Sequence, residues 1–330
     1  MTDSPLTNLG PLMVAGLLVA LIMLVSPAPA KATEKDPALK PEIVLAIFGT
    51  TEPEALSAIL NVEKRVKAAF PEYKVHLSFT ADRIRAVWRE RARDAAWKAK
   101  NHGIPAELYS IANPLAVLAK IQDQGPRPVF VQSLHIVNGT EFDNQKLMTQ
   151  SLAALSARPA NKKPFPYISL GDSALGKGSA KELERAAEAL KPLVEEARSK
   201  DAALVLFGHG NHEVDIPAYR NLAAHMVKKY APQPVFMALV DGKPGVDDLL
   251  ATVKKAKVEK AFLAPLMLVA GDHAINDMAG DESDSLASML KEEGIKVESW
   301  LKGLGDNNSW ADIYVERLRA QVQAYEKTAP

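Results

Sequence analysis

The sequence predicts an α/β protein of two similar halves, each a four-stranded parallel sheet flanked by helices. Three observations carry that expectation. Short apolar runs alternate with segments of helical periodicity from residue 43 to residue 325. Strands separated by helices imply right-handed crossovers and parallel sheets covered on both faces. Two pairs of segments also read as copies: VLAIFGT (Val44–Thr50) against LVLFGHG (Leu204–Gly210), and QSLHIVNGTE (Gln132–Glu141) against APLMLVAGDH (Ala264–His273). Aligned on their glycines, the copies set Thr50 opposite His209 and Glu141 opposite His273.

Taken in order, the strands of the first half are expected at Ile43–Phe48, Val75–Phe79, Val129–Leu134 and Tyr167–Leu170. Those of the second half are expected at Leu204–Phe207, Val235–Val240, Ala261–Leu266 and Val297–Leu301. Apolar residues spaced at three and four predict helices around Glu54–Ala69, Ala81–Lys100, Pro114–Gln122 and Asp143–Leu155. The same spacing predicts them at Ala180–Ser199, Pro217–Tyr230, Val246–Ala256, Ser283–Glu293 and Trp310–Tyr325. The boundary between the halves is placed at the long charged helix, giving an N-terminal half over 41–178 and a C-terminal half over 179–330.

Ahead of these lies Pro11–Val25, an apolar run of 15 residues followed by Ser26-Pro27-Ala28-Pro29-Ala30-Lys31-Ala32. The run is short of the ~20 residues that cross a bilayer. The Ala-x-Ala spacings after it suit signal peptidase. Residues 1–32 are therefore expected to be a cleaved secretory signal, and the folded part periplasmic. The lack of Lys or Arg before the run keeps an uncleaved anchor as the alternative.

Of the 330 residues, Lys+Arg and Asp+Glu each number 40, so no net charge draws the chain to nucleic acid or acidic lipid. There is no cysteine, which excludes disulfides, thiolate metal sites, iron–sulfur clusters and cysteine nucleophiles.

Chemistry is expected where strands end, because open α/β sheets bind ligands beyond the carboxyl ends of their strands. Gly208-His209-Gly210-Asn211-His212 would bring His209 to the open end of a sheet, with His212 beside it. Gly271-Asp272-His273 ends another strand, and Asp272 is read as a carboxylate able to orient an imidazole. Glu141 is either a metal ligand or a first-turn carboxylate favoured by the helix dipole. His135 is either functional or a buried, hydrogen-bonded histidine. Two imidazoles and a carboxylate from separate strand ends would suit Co²⁺, Ni²⁺, Zn²⁺ or Fe²⁺. Arg83, Arg85, Arg89 and Arg91 form a basic helix face, either solvated or available to an anionic substrate. Gly171–Lys177 has the G-x4-G-K frame of a phosphate-binding loop, but Gly178 stands where Ser or Thr would hold Mg²⁺. A glycine-rich turn into the following helix explains it better, and no ATP site is expected.

The motifs resemble those of the anaerobic-type sirohydrochlorin cobaltochelatases, of the class II chelatase superfamily. Phe48-Gly49-Thr50, Gln132–Ile136 with Asn138-Gly139 and Glu141, Gly208-His209-Gly210, Pro265–Ala279 and Trp300–Gly305 carry the resemblance, which covers about residues 42 to 325. It implies metal ligands at His209 and His273 assisted by Glu141, and insertion of Co²⁺ into sirohydrochlorin without ATP or organic cofactor. Fe²⁺ for sirohaem is a variant of that reaction. Thr50, His212, Arg83 and Arg85 are the expected substrate contacts. The competing reading is an extracytoplasmic haem or metal carrier on a chelatase fold. Homo-oligomerisation stays open, with His76, His102 and His225 as candidates for an interface or a haem.

Overall fold

The computed structural model describes residues 39–155, 163–212 and 214–328; the expected signal segment lies outside them. Each expected strand forms. The first sheet contains β1 (Glu42–Ile47), β2 (Lys74–Phe79), β3 (Val129–Ser133) and β4 (Ile168–Gly171). The second contains β5 (Ala203–Gly210), β6 (Val235–Asp241), β7 (Lys260–Leu266) and β8 (Lys296–Ser299). Their orders are β2-β1-β3-β4 and β6-β5-β7-β8, the same permutation twice, and every pairing is parallel. The copies read in the sequence thus occupy equivalent strands, β1 with β5 and β3 with β7.

The strands are apolar on both faces because both faces are covered. In β1, Ile43, Leu45 and Ile47 enter one core cluster while Val44 and Ala46 enter another. In β5, Leu204 and Leu206 join the first cluster, and Val205 and Phe207 form part of a third. Alternation at period two sends successive side chains to opposite layers. One continuous core therefore runs through both halves, with a smaller apolar layer beyond each sheet.

Ten helices fill the crossovers among the described residues: α1 (Leu56–Ala69), α2 (Asp82–Arg93), α3 (Ala95–Lys100), α4 (Pro114–Asp123), α5 (Thr140–Ala154), α6 (Ala180–Ser199), α7 (Pro217–Tyr230), α8 (Val246–Lys255), α9 (Leu286–Glu292) and α10 (Asn308–Glu326). The single helix expected over Ala81–Lys100 is broken at Asp94. That residue is extended, and its carboxylate accepts from Trp97 N, capping α3. A capping carboxylate offers the backbone a partner that helix continuation does not, and so restarts the helix. The helix expected from Ser283 begins at Leu286 instead, because Ser285 accepts from Ser288 N at 3.1 Å and caps α9.

The last helix crosses back. α10 follows the second sheet in sequence but packs on α1, α6, β3 and β4. Trp310 and Tyr314 on it are fully buried. Arg65 of α1 grips Asp312 through two hydrogen bonds of 2.6 Å, and Arg317 reaches Glu182 of α6 at 2.8 Å. Inside, Gln321 donates to Gln132 Oε1 at 3.2 Å and accepts from Ser169 Oγ at 2.6 Å, tying α10 to β3 and β4. The Tyr314 hydroxyl is shared between the carbonyls of Leu134 and His135, at 3.1 and 3.3 Å, just past the end of β3. The C-terminal helix is thus a strut behind the loop that leads to Glu141.

Tyr314→Phe removes that strut's donor and leaves the buried Leu134 carbonyl and the Trp310 indole N–H without it. The variant is expected to lose about 1–3 kcal/mol, read from urea unfolding. An unchanged midpoint would mean that the hydroxyl carries no load.

Candidate metal centre

In a sheet ordered β2-β1-β3-β4 the connections leave β1 on one side and β3 on the other. The crevice between those two carboxyl ends is the topological switch point where ligands bind. Thr50 follows β1 and Glu141 follows β3. His209 lies at the end of β5, and His273 follows β7. In sequence, each of the four expected residues follows or ends one of the two central strands of its sheet.

The structure brings His209 and His273 together. Their ring centroids are 4.7 Å apart and their planes meet at 88°, edge to face, across 64 residues of sequence. Strand pairing sets the two starting points, and the segment from Met267 to Asp272 brings His273 back from the end of β7. β5 and β7 are adjacent and in register from Ala203↔Ala261 to Gly208↔Leu266. β5 also runs three residues further than expected, so His209 is held on a strand rather than on a free turn. Gly210 makes the extension feasible. Its φ is +77°, and a β-carbon there would come within 1.6 Å of the Asp241 carbonyl oxygen. No other residue type fits against β6 at this point.

Each imidazole has a partner at Nδ1. For His209 it is the neighbouring Gly210 carbonyl, at 3.3 Å. For His273 it is the Asp277 carboxylate, at 2.5 Å. An accepting partner at Nδ1 places the proton of the neutral ring there and leaves the Nε2 lone pair for an ion. Asp272, expected to orient the imidazole, instead accepts from Asn276 Nδ2 at 2.9 Å. The reason is the single π-turn Ala274–Met278, which sets residues four apart on one face. His273 therefore meets Asp277, and Asp272 meets Asn276. Asp277 was legible as His-x3-Asp within a stretch already singled out, had helical spacing been applied to it.

The two halves touch around these rings. The position of a β-carbon on Gly271 lies 3.4 Å from Thr50 Oγ1, so the loop after β1 meets the loop after β7. Asn211 Nδ2 donates to Thr140 Oγ1 at 3.1 Å, so the loop after β3 meets the end of β5. Glu141, next to Thr140, is half-buried in the first turn of α5. Among the described residues no group of three His, Cys, Asp or Glu is placed to hold one metal ion. The two imidazoles are in contact as a pair.

The other expected residues divide. Thr50 is buried; its Oγ accepts from Glu52 N at 3.0 Å and its carbonyl from Trp88 Nε1 at 2.8 Å. His212 is 81% exposed and pairs with Asp241 at 3.0 Å. Arg83 is exposed at the start of α2. Arg85 is not available to a substrate: it is buried and spends its guanidinium on the carbonyls of Phe79 and Thr80 at the end of β2, and on Asp82. Arg91 likewise bonds the Thr51 carbonyl and lies over Trp88 and Trp97. These two arginines are structural because open carbonyls at the end of β2 and in the loop after β1 need donors. Of the surface histidines, His76 and His225 are engaged with Glu42 and Glu184, and His102 is exposed.

The glycine-rich segment after β4 braces the site. Its Ala174 and Leu175 amides donate to the carbonyls of His135 and Ile136. Ser173 Oγ donates to Asn138 Oδ1 at 2.7 Å. His135 is a packed histidine: Nδ1 meets Ser133 Oγ at 3.0 Å and Gln145 Nε2 at 3.2 Å, while Nε2 is sealed from solvent without a partner. Burial pushes its pKa down to about 4. Two surface hollows, of about 380 and 300 Å³, lie between α1 and α10 and beside α7 and α8, away from the imidazoles. The His209 side chain is exposed and that of His273 about 40% exposed.

Residues 41–323 match the protein family described as cobalt chelatase (CbiK). A sirohydrochlorin cobaltochelatase of Salmonella typhimurium is 31% identical over 293 residues, 88% of this chain and 100% of its own length. The sirohydrochlorin cobaltochelatase CbiKC of Nitratidesulfovibrio vulgaris is 28% identical over 290 residues, 88% of this chain and 93% of that one. Among solved structures, the sirohydrochlorin chelatase SirB of Bacillus subtilis subspecies spizizenii in complex with cobalt shares the fold. Its TM-score is 0.53 at 14% identity, covering 88% of this chain and 98% of that one.

His135 binds a proton more weakly when folded than the ordinary histidine value of 6.5 allows, so the unfolded chain gains protons first as pH falls. Stability is therefore expected to decline from about pH 6.5 toward about pH 4, by at most on the order of 3 kcal/mol from this group. Comparing urea unfolding of wild type and His135→Gln at pH 7 and pH 5 checks it. The variant should lose less; equal losses would place the pH sensitivity elsewhere.

Proposed function

The chain belongs to the CbiK family of cobalt chelatases, and from that membership we infer that it inserts Co²⁺ into sirohydrochlorin, with the His209–His273 pair receiving the ion. The observation that supports the ligand assignment is the edge-to-face contact of two imidazoles at a switch point, each with an acceptor at Nδ1.

The chemistry asks for few ligands. Neutral imidazole binds Co²⁺ well, and a pair leaves most of the coordination sphere to water and then to the ring nitrogens. A protein cage of higher ligand count would retain the ion. Insertion also releases the pyrrole N–H protons, and the ion lowers the pKa of the groups it begins to coordinate. Glu141, on the opposite half and at the N-terminus of α5, is the carboxylate nearest in sequence to the inter-half contact at Thr140. We assign it an assisting part, as a proton acceptor or a ligand that joins once ring and ion occupy the crevice. Sirohydrochlorin is a polycarboxylate, and Arg83, exposed where α2 leaves the first sheet, supplies a matching charge. Fe²⁺ is the variant substrate.

We also propose that residues 1–32 are a secretory leader and that the enzyme works in the periplasm. The family match begins at residue 41, beyond the apolar run, so the leader stands outside the chelatase unit.

His209→Ala or His273→Ala should each lower Co²⁺ insertion by roughly 100-fold or more, within the range for removing a group that takes part in proton or metal transfer. Circular dichroism should stay unchanged, because both side chains lie outside the core. Glu141→Ala should cost less. The visible spectrum of sirohydrochlorin on mixing with Co²⁺ reports the rate. Full activity in both histidine variants would remove the assignment, and stoichiometric binding without turnover in the wild type would identify a carrier instead.

A further inference from the structure

The two imidazoles are unequal, and we propose that Asp277 makes His273 the anchoring ligand for incoming Co²⁺ while His209 is the yielding one. The proposal rests on the reading of His209 and His273 as the receiving pair.

The inequality is in their supports. His273 is backed by a carboxylate at 2.5 Å, and a charge-assisted hydrogen bond is roughly twice as strong as a neutral one. A carboxylate at Nδ1 fixes both the tautomer and the ring's orientation, and makes Nε2 a better donor to a metal. The support is itself braced. Asp277 lies in the π-turn Ala274–Met278, whose first amides, Ala274 N and Ile275 N, both bond the Gly271 carbonyl at 3.0 Å. The parallel Asp272–Asn276 hydrogen bond stiffens the same turn. His209, by contrast, is exposed, and at its Nδ1 stands the uncharged carbonyl of its neighbour, at 3.3 Å. Its strand fixes the backbone, but a bond this long leaves the ring freer to turn.

An enzyme that must both capture an ion and give it up gains from such a split. With equal, strongly backed imidazoles, leaving would be slow; with two weak ones, capture would be poor. On this reading His209, with the weaker support, would be the ligand that gives way to the macrocycle, and His273 would be the one that retains the ion. In this proposal Asp277 acts through the His273 imidazole and is therefore a positioning residue.

The test separates affinity from turnover, using full-length protein. Co²⁺ alone is titrated by calorimetry into wild type, Asp277→Ala, Asp277→Asn, Asp277→Glu, His209→Ala and His273→Ala. KM for Co²⁺ and kcat are then measured with sirohydrochlorin. Asp277→Ala is expected to weaken Co²⁺ binding by roughly 10–100-fold, with the larger part of the activity loss in KM rather than kcat. Asp277→Asn should fall between, and Asp277→Glu should recover part of the affinity. His209→Ala should lose less Co²⁺ affinity than His273→Ala. Unchanged affinity and KM in Asp277→Ala, or equal losses in the two histidine variants, would overturn the proposal while leaving the pair assigned. Unchanged affinity in His273→Ala would instead overturn the assignment of the pair.

Discussion

The parallel pairing of β5 with β7 is the constraint on which the rest depends. It sets the ends of two adjacent strands side by side, and so puts two imidazoles from distant stretches of chain in ring contact. His209 lies on β5 itself, and the segment from Met267 to Asp272 carries His273 back to it from the end of β7. Gly210 lets β5 stay against β6 past the point where any other residue would collide. The π-turn after β7 returns a carboxylate to the second ring. Backbone geometry does the positioning of both rings.

The first half meets the segments that carry the imidazoles. The contacts Thr50 with Gly271 and Asn211 with Thr140 join the two switch points crosswise. Behind them α10 leaves the half that precedes it in sequence and packs on the other, with Tyr314 fixing the carbonyls just past β3. The glycine-rich turn after β4 holds the same segment from another side through Ala174, Leu175 and Ser173. A feature that mimics a phosphate loop in sequence thus spends its amides on the site's own backbone. The halves share one core, so the crevice is part of a single compact unit over Leu39–Pro330.

Much of this was legible beforehand. Apolar runs and helical periodicity located the strands, since buried parallel strands leave a continuous hydrophobic signal. The copies aligned on Gly49 with Gly208, and on Gly139 with Gly271, named four strand-end residues that the sheet order then placed at equivalent positions. What escaped was side-chain accounting. Arg85 reads as a surface cation until the open carbonyls at the end of β2 are seen to claim it. Asp272 was the natural partner for its neighbour until the π-turn rotated Asp277 into its place. The return of α10 across the molecule left no mark in periodicity, because a helix shows which face it buries but not against what.

On the proposed reading, the arrangement would be a two-imidazole holding point rather than a cage, with the two rings unequally supported at Nδ1. The most direct measurement is diffraction from the Co²⁺-loaded protein at the cobalt absorption edge. The account predicts one ordered ion between Nε2 of His209 and Nε2 of His273. An ion bound elsewhere with those rings unengaged would contradict it.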